Sequence, residues 1–255
     1  MKKILSILCF IALCTSAKAE SVFSLDLKTD IAISTLAIGV FAGSFFIETP
    51  PGHIPDSLNR NDVNALDRSL MFTRLNSPVR YTSTAAMVTM AGLLPLVPVM
   101  GNFNMDTIVT YGVMYSQATL LAYGTRVLLR NNITRWRPYL YDGRELNSGH
   151  RHDAFPSGHT CVAFMSATFF TTTFSLDYPD SRWKWPLIAG SYTLASCIGA
   201  LRIISGMHFF TDVLAGAAIG SLYGWLIPYL HRSRNSENDF PIIFTGNGLL
   251  LSLKL

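Results

Sequence analysis

Two histidines and one carboxylate in this chain could serve as a nucleophile, its orienting partner and a proton donor. His208 and Asp212 lie four residues apart in "HFFTD", so on a helix both side chains share one face. A carboxylate that accepts from Nδ1–H leaves Nε2 of the imidazole free to act as a nucleophile or base. His159 closes the turn "PSGH" and could give a proton to a leaving group. These features predict His208, His159 and Asp212 as catalytic residues.

Three arginines and the same turn supply the positive charge that an anionic group requires. The planar guanidinium forks of Arg130, Arg137 and Arg202 suit phosphate oxygens. Ser157 and Gly158 precede the first turn of a helix, where free backbone N–H groups favour an anion, and glycine lets the backbone come close. We therefore predict that these five residues bind phosphate in a phosphoryl-transfer site that uses neither a metal ion nor a cofactor.

Each of these features also has an ordinary structural explanation. A histidine at a helix start is more often a cap or a satisfied core residue. A His–Asp pair at this spacing is structural about as often as functional, and a Pro-Ser-Gly turn is common helix-capping chemistry. Only the convergence of all the features at one place distinguishes a reactive site, so the elements that position them decide the interpretation.

The elements are long uncharged segments. Hydrophobic residues make up 49% of the chain and charged residues 14%, where a soluble chain carries about a quarter charged residues. The mean hydropathy is +0.31. About 20 apolar residues cross a bilayer as a helix. This pattern predicts an all-α, integral-membrane helical bundle of about five or six spanning helices, with candidate spans at 31–47, 82–105, 107–125, 160–176, 186–201 and 213–230.

Alternating helix directions bring the candidate residues to one face of the membrane. The starts of the 160–176 and 213–230 segments and the ends of the 107–125 and 186–201 segments then share one side. Polar residues are costly at membrane depth, so a cluster of them at segment ends indicates a function.

The two ends of the chain differ from this bundle. Residues 1–19 have a basic start, an apolar stretch and a small-x-small ending, which predicts a signal peptide or an uncleaved anchor. The bundle domain is assigned to 20–235. The tail, 236–255, contains Gly246-Asn247-Gly248 between apolar arms, which favours a short β-hairpin over a disordered tail. Within the last span, Gly216, Gly220 and Gly224 predict close approach of another helix.

Together the motifs resemble the type 2 phosphatidic acid phosphatase (PAP2) superfamily, in its membrane lipid phosphatase branch. The family pattern is Lys-x6-Arg-Pro, then Pro-Ser-Gly-His, then Ser-Arg-x5-His-x3-Asp. Here the three motifs read "RNNITRWRP", "PSGH" and "LRIISGMHFFTD". The chain departs at Arg130, which stands at the lysine position, and at Leu201, where serine is usual.

The resemblance implies a mechanism for the predicted residues. His208 would attack phosphorus to form a phosphohistidine, with Asp212 orienting it, and His159 would protonate the leaving oxygen and then activate water. Arg130, Arg137, Arg202, Ser157 and the amide of Gly158 would hold the phosphoryl oxygens.

The resulting expectation is a metal-independent phosphatase of lipid phosphates or diphosphates. Candidates are lipid A, undecaprenyl diphosphate, phosphatidic acid and phosphatidylglycerol phosphate. The main alternative is an exported acid phosphatase of the class A type that acts on small soluble phosphomonoesters. A vanadate-dependent haloperoxidase and an inactive lipid-binding protein are further alternatives on the same scaffold.

The expected partners are the lipid phosphate substrate and the bilayer. A formal charge of +4 without basic runs argues against nucleic acid, and no oligomeric state is predicted. An export signal favours a bacterial-type inner membrane with the site facing the periplasm. Counting every segment as a span after a cleaved signal places the site on the cytoplasmic face instead, so the orientation stays open.

Overall fold

The computed structural model describes residues 21–47, 58–101, 104–142 and 152–233, together with two short strands near the C-terminus. The predicted signal segment at 1–19 lies outside these residues. Within them the chain is almost entirely helical. The α-helices are α1 (Leu27–Gly43), α2 (Ala65–Ser69), α3 (Ser77–Leu93), α4 (Met105–Asn132), α5 (Gly158–Asp177), α6 (Lys184–Ile204) and α7 (Phe210–Leu230).

Short elements complete the described structure. Four 3₁₀ turns cover Arg60–Asp62, Leu94–Leu96, Pro98–Gly101 and Pro138–Asp142. In the tail, β1 (Ile242–Thr245) pairs antiparallel with β2 (Gly248–Leu251), so that Ile242 lies opposite Leu251. The two strands flank the Gly-Asn-Gly segment that predicts a hairpin from the sequence.

Side-chain caps explain where several helices begin. Asp26 accepts a hydrogen bond from the backbone N–H of Thr29 at the start of α1. Asn104 accepts one from Thr107 at 2.8 Å and so starts α4. Such caps satisfy an N–H group that the first helical turn leaves unpaired.

The helices differ from the predicted segments in two ways that affect the site. Pro95 and Pro98 follow α3, where they stop the helix in 3₁₀ turns instead of kinking it, so the segment predicted at 82–105 is not one helix. Helix α4 continues well past the predicted end at 125 and reaches Asn132. This extension carries Arg126 and Arg130 on a regular helix.

Helix α5 lies at the centre, and most of its residues are buried. It packs on α3, α4, α6 and α7. Large apolar side chains on the outer helices are exposed instead, including Leu27 (75% exposed), Val88 (60%), Trp185 (72%) and Leu222 (51%). Among the described helices, α6 and α7 are long and apolar enough to cross a membrane. The number of spans stays a prediction.

The glycine ridge of α7 allows a close contact between α7 and α5. A Cβ atom at Gly216 would collide with the carbonyl oxygen of Ser157, the residue before α5, and one at Gly220 or Gly224 with that of Cys161 or Met165 on α5. The prediction that this ridge admits a neighbouring helix is confirmed, and the neighbour is α5. Because Ser157 and the start of α7 belong to the predicted site, this contact sets the distance between the two halves of the site.

Candidate active site

A cavity of about 480 Å³ opens where α5 and α7 begin and α4 and α6 end. Among the described residues its lining is strongly basic, with the four arginines Arg80, Arg126, Arg137 and Arg202. Both histidines of the sequence prediction, His159 and His208, also line it, as does Gly158. The apolar part of the wall consists of Leu75, Tyr81, Met87, Tyr123, Tyr139, Val162 and Met207.

His208 is held in one tautomer by a backbone group. Its Nδ1 lies 2.7 Å from the carbonyl oxygen of Ala154, which can only accept, so Nδ1 carries the hydrogen and Nε2 keeps its lone pair. Burial, and then the positive charges of Arg137 and Arg202, keep the pKa of His208 well below 6.5. The imidazole is therefore neutral at neutral pH, as a nucleophile must be.

The expected hydrogen bond from His208 to Asp212 is replaced by the bond to Ala154. Asp212 Oδ2 lies 3.8 Å from Nδ1 and accepts instead from the backbone N–H of Phe209 at 2.7 Å. Its other oxygen accepts from Arg135 at 2.6 Å. Asp212 thus holds the turn that carries His208 and adds a nearby negative charge, but it does not receive the imidazole proton.

Arg135 links this turn to a second, fully buried carboxylate. Its guanidinium bonds to Asp67 and to the hydroxyl of Thr211, and lies 4.5 Å from the centre of the Phe209 ring. Burial would raise the pKa of Asp67, but hydrogen bonds from Thr211, Asn64 and Arg135 outweigh it and lower that pKa below 3.8. The ionised carboxylate therefore clamps α2 to the first turn of α7.

His159 is positioned from α3. Its Nε2 lies 2.9 Å from the hydroxyl of Thr84. The same hydroxyl donates to the carbonyl oxygen of Arg80 at 3.1 Å, so it is free to accept from the imidazole N–H. Thr84 therefore orients the ring that was predicted to protonate the leaving group.

Two predicted phosphate ligands reach the cavity with part of each guanidinium in use. Arg137 donates from Nε to Asp153 at 2.8 Å. Arg202 is 2% exposed and donates weakly to Ser83 at 3.3 Å. Its Nε has no hydrogen-bond partner among the described residues. A buried guanidinium in this state is well suited to an anionic ligand.

Two other predicted ligands are not brought into the cavity. The Nε of Arg130 donates to the neighbouring Asn131 at 3.0 Å, and Arg130 is not among the lining residues. The hydroxyl of Ser157 bonds to that of Thr160 at 2.9 Å and makes no cap bond to the backbone. Gly158, by contrast, lies on the cavity wall.

Several residues of the site were missed by sequence reasoning, namely Arg80, Thr84, Arg126, Arg135 and Asp67. Arg126 precedes Arg130 by four residues, so both lie on one face of α4, and that spacing was a readable signal. Arg80 and Thr84 share the same spacing on α3. Nothing in the sequence, however, indicated which face of α3 turns toward the site.

The comparison with family models agrees with the motifs. A family model described as the PAP2 superfamily matches residues 111–236, which include the predicted catalytic residues. A protein of Porphyromonas gingivalis named lipid A 1-phosphatase is 40% identical over 100 residues. This match covers 38% of the chain and only 21% of the relative, about a fifth of its length. A solved structure of a transmembrane PAP2-type phosphatidylglycerolphosphate phosphatase from Bacillus subtilis aligns with a TM-score of 0.42 at 19% identity, over 90% of this chain and 96% of that one.

Proposed function

We propose that this chain, whose residues 111–236 match the PAP2 superfamily model, hydrolyses phosphate or diphosphate esters of lipids without a metal ion. One observation carries the proposal. The neutral imidazole of His208, with Nδ1–H given to Ala154, lines a cavity whose described charged lining groups are all basic. That pairing suits nucleophilic attack on a phosphorus atom whose oxygens the guanidiniums hold.

The reaction proceeds in two displacements. In the first, the lone pair on Nε2 of His208 attacks phosphorus, the P–N bond forms, and the bond from phosphorus to the lipid oxygen breaks. Protonated His159 gives its proton to that leaving oxygen. In the second, neutral His159 takes a proton from water, the water oxygen attacks phosphorus, and the P–N bond breaks. Inorganic phosphate leaves, and His208 returns to its neutral form.

The remaining predicted residues support these steps. Arg137, Arg202 and the amide of Gly158 stabilise the charge on the phosphoryl oxygens. Asp212 positions the turn of His208 through its bonds to Phe209 and Arg135, and balances the positive charge that develops on the imidazole. Contacts of Arg130 and of the Ser157 hydroxyl with phosphate stay predictions, since both side chains bond elsewhere.

A lipid substrate is favoured by the outer surface of the bundle. Leu27, Val88, Trp185 and Leu222 are exposed on four different helices, which suits contact with acyl chains better than contact with water. The cavity lies where α5 and α7 begin and α4 and α6 end, and in the membrane-spanning bundle that we propose these helix ends would meet the phosphate headgroups. The relative named lipid A 1-phosphatase makes lipid A the first substrate to assay. We place the protein in a bacterial inner membrane with the cavity facing the periplasm.

The test is phosphate release from a panel of lipid phosphates and soluble phosphomonoesters. We expect lipid esters to be preferred and His208→Ala to lose at least about 10³-fold in kcat. In a rapid-quench experiment with labelled substrate, the wild type accumulates acid-labile phosphohistidine and His208→Ala does not.

The control is His152→Ala, because His152 packs against Trp136 at 5.9 Å and does not line the cavity. Unchanged turnover in His208→Ala excludes the proposed nucleophile. The acid-phosphatase alternative is indicated instead by two results together. Soluble esters would be hydrolysed as fast as lipid phosphates, and the protein would leave the membrane without detergent.

A further inference from the structure

Arg126 is a buried cation that no family motif includes. It lies on α4, is 6% exposed, and lines the cavity beside Arg137, Arg202 and His208. Its Nε donates to the carbonyl oxygen of Pro156 at 3.1 Å, and its guanidinium lies 5.8 Å from the centre of the Tyr123 ring. These contacts fix the plane of the guanidinium at the wall of the cavity.

The terminal nitrogens of Arg126 remain available. Among the residues that the structure describes, neither one donates to a protein group, and the side chain forms no ion pair. A buried guanidinium without an ion-pair partner is costly, and an anion that accepts from both terminal nitrogens reduces that cost. The chemistry of this side chain therefore calls for an anionic ligand in the cavity.

Gly158 makes room for this guanidinium. A Cβ atom at position 158 would lie 3.1 Å from Nε and 3.3 Å from Cζ of Arg126. Those distances are tighter than ordinary contact, so a Cβ atom there would require the guanidinium to shift by a few tenths of an ångström. The glycine of the "PSGH" turn thus serves Arg126 as well as the approach of its own amide to an anion.

Arg130, at the family's lysine position, is placed differently. Its Nε bonds to Asn131, whose amide in turn donates to the carbonyl oxygens of Ser44 and Ile47 after α1. Arg126, one helical turn earlier on the same face of α4, is the residue of this pair that reaches the cavity.

We infer that Arg126 is a phosphate-binding residue of the site, with its terminal nitrogens donating to oxygens of the phosphoryl group that His208 attacks. The inference rests on the proposed function for its reaction, but phosphate binding by Arg126 can be measured without turnover. The expected ligand chemistry is a phosphate monoester or diphosphate, and inorganic phosphate is its simplest probe.

The experiment compares Arg126→Ala with Arg182→Ala, a matched control. Arg182 lies between α5 and α6, at the end of α5 away from the cavity. We expect Arg126→Ala to weaken inhibition by inorganic phosphate, and to lower kcat/KM for a lipid phosphate, by about 10- to 100-fold, the range for a charge-assisted hydrogen bond. Arg126→Lys restores part of both, since it keeps the charge without the fork. Arg182→Ala leaves both unchanged.

A second readout separates this inference from the proposed function. Inorganic phosphate should raise the melting temperature of the wild type in detergent, and Arg126→Ala should lose that shift. This comparison needs no turnover. If the wild type turns over no lipid on the panel, the proposed function is rejected, but the thermal shift still tests phosphate binding by Arg126. The role of Arg126 is rejected if Arg126→Ala stays within about twofold of the wild type in both measurements, the inhibition by phosphate and the stabilisation by phosphate. If that variant does not fold, Arg126→Lys supplies the same comparison.

Discussion

Replacing Gly224 by alanine tests the close contact between α7 and α5. A Cβ atom at this position would lie 2.5 Å from the carbonyl oxygen of Met165, 2.9 Å from the backbone nitrogen of Phe169 and 3.0 Å from Cβ of Thr168. Two of these atoms belong to the α5 backbone and cannot rotate away. The helices would have to separate by about 0.9 Å to restore ordinary contact at 3.4 Å.

The expected cost follows from two opposing effects. Overpacking a close-packed interior costs about 1–3 kcal/mol, and the backbone contacts favour the upper end of that range. Alanine is a better helix former than glycine by about 1 kcal/mol, which offsets part of the loss. The net destabilisation of about 2 kcal/mol lowers the melting temperature by about 4–8 °C for a chain of this size.

Gly190→Ala is the matched control. Gly190 lies within α6, and a Cβ atom there meets nothing within 4 Å, so only the gain in helix propensity applies. We expect that variant to melt about 2–4 °C above the wild type. Both variants are measured by thermal unfolding in the same detergent. The reasoning is refuted if Gly224→Ala melts at or above the wild-type temperature, because the two substitutions must change stability in opposite directions.

Two further predictions concern the histidines. Thr84→Val removes the group that accepts from His159, so kcat should fall by about five- to tenfold with KM little changed, while Thr84→Ser stays near wild type. Equal losses in the Val and Ser variants contradict that role. The pKa of His208 is lowered by burial and by Arg137 and Arg202, and the nucleophile that we propose must be neutral, so we expect activity to be lost only as the pH falls well below 6.5. An acid limb of kcat/KM centred at pH 6.5 contradicts this.

The local part of the site could be predicted from the sequence because its chemistry depends on residue types at short spacing. His208, His159, Arg137, Arg202 and Gly158 were all selected from motifs, and all line one cavity. Alternating helix directions were sufficient to bring them together, since that argument needs only the order of the segments. Residues whose placement depends on the rotation of a helix about its axis were beyond such reasoning.

Arg126 and Thr84 illustrate that limit. Both are polar residues on helical segments, and their spacing is the same whether they face the site, another helix or lipid. The contact of α3 with α5 and α6 turns Thr84 toward His159, and the length of α4 brings Arg126 beneath Pro156. Likewise, the sequence suggested Asp212 as the partner of the His208 proton, whereas a backbone carbonyl with no side-chain signature takes it.

The sequence by itself determined that this chain folds into apolar helices and carries two histidines and several arginines suited to phosphate chemistry. Hydropathy and motif spacing act within single segments, so they can be read without the fold. Only the tertiary structure decided that Ala154 holds His208, that Thr84 holds His159, and that Arg126 rather than Arg130 lines the cavity. The physical reason is that helix rotation and separation are set by packing between distant segments, as where the glycine ridge of α7 meets the backbone of α5.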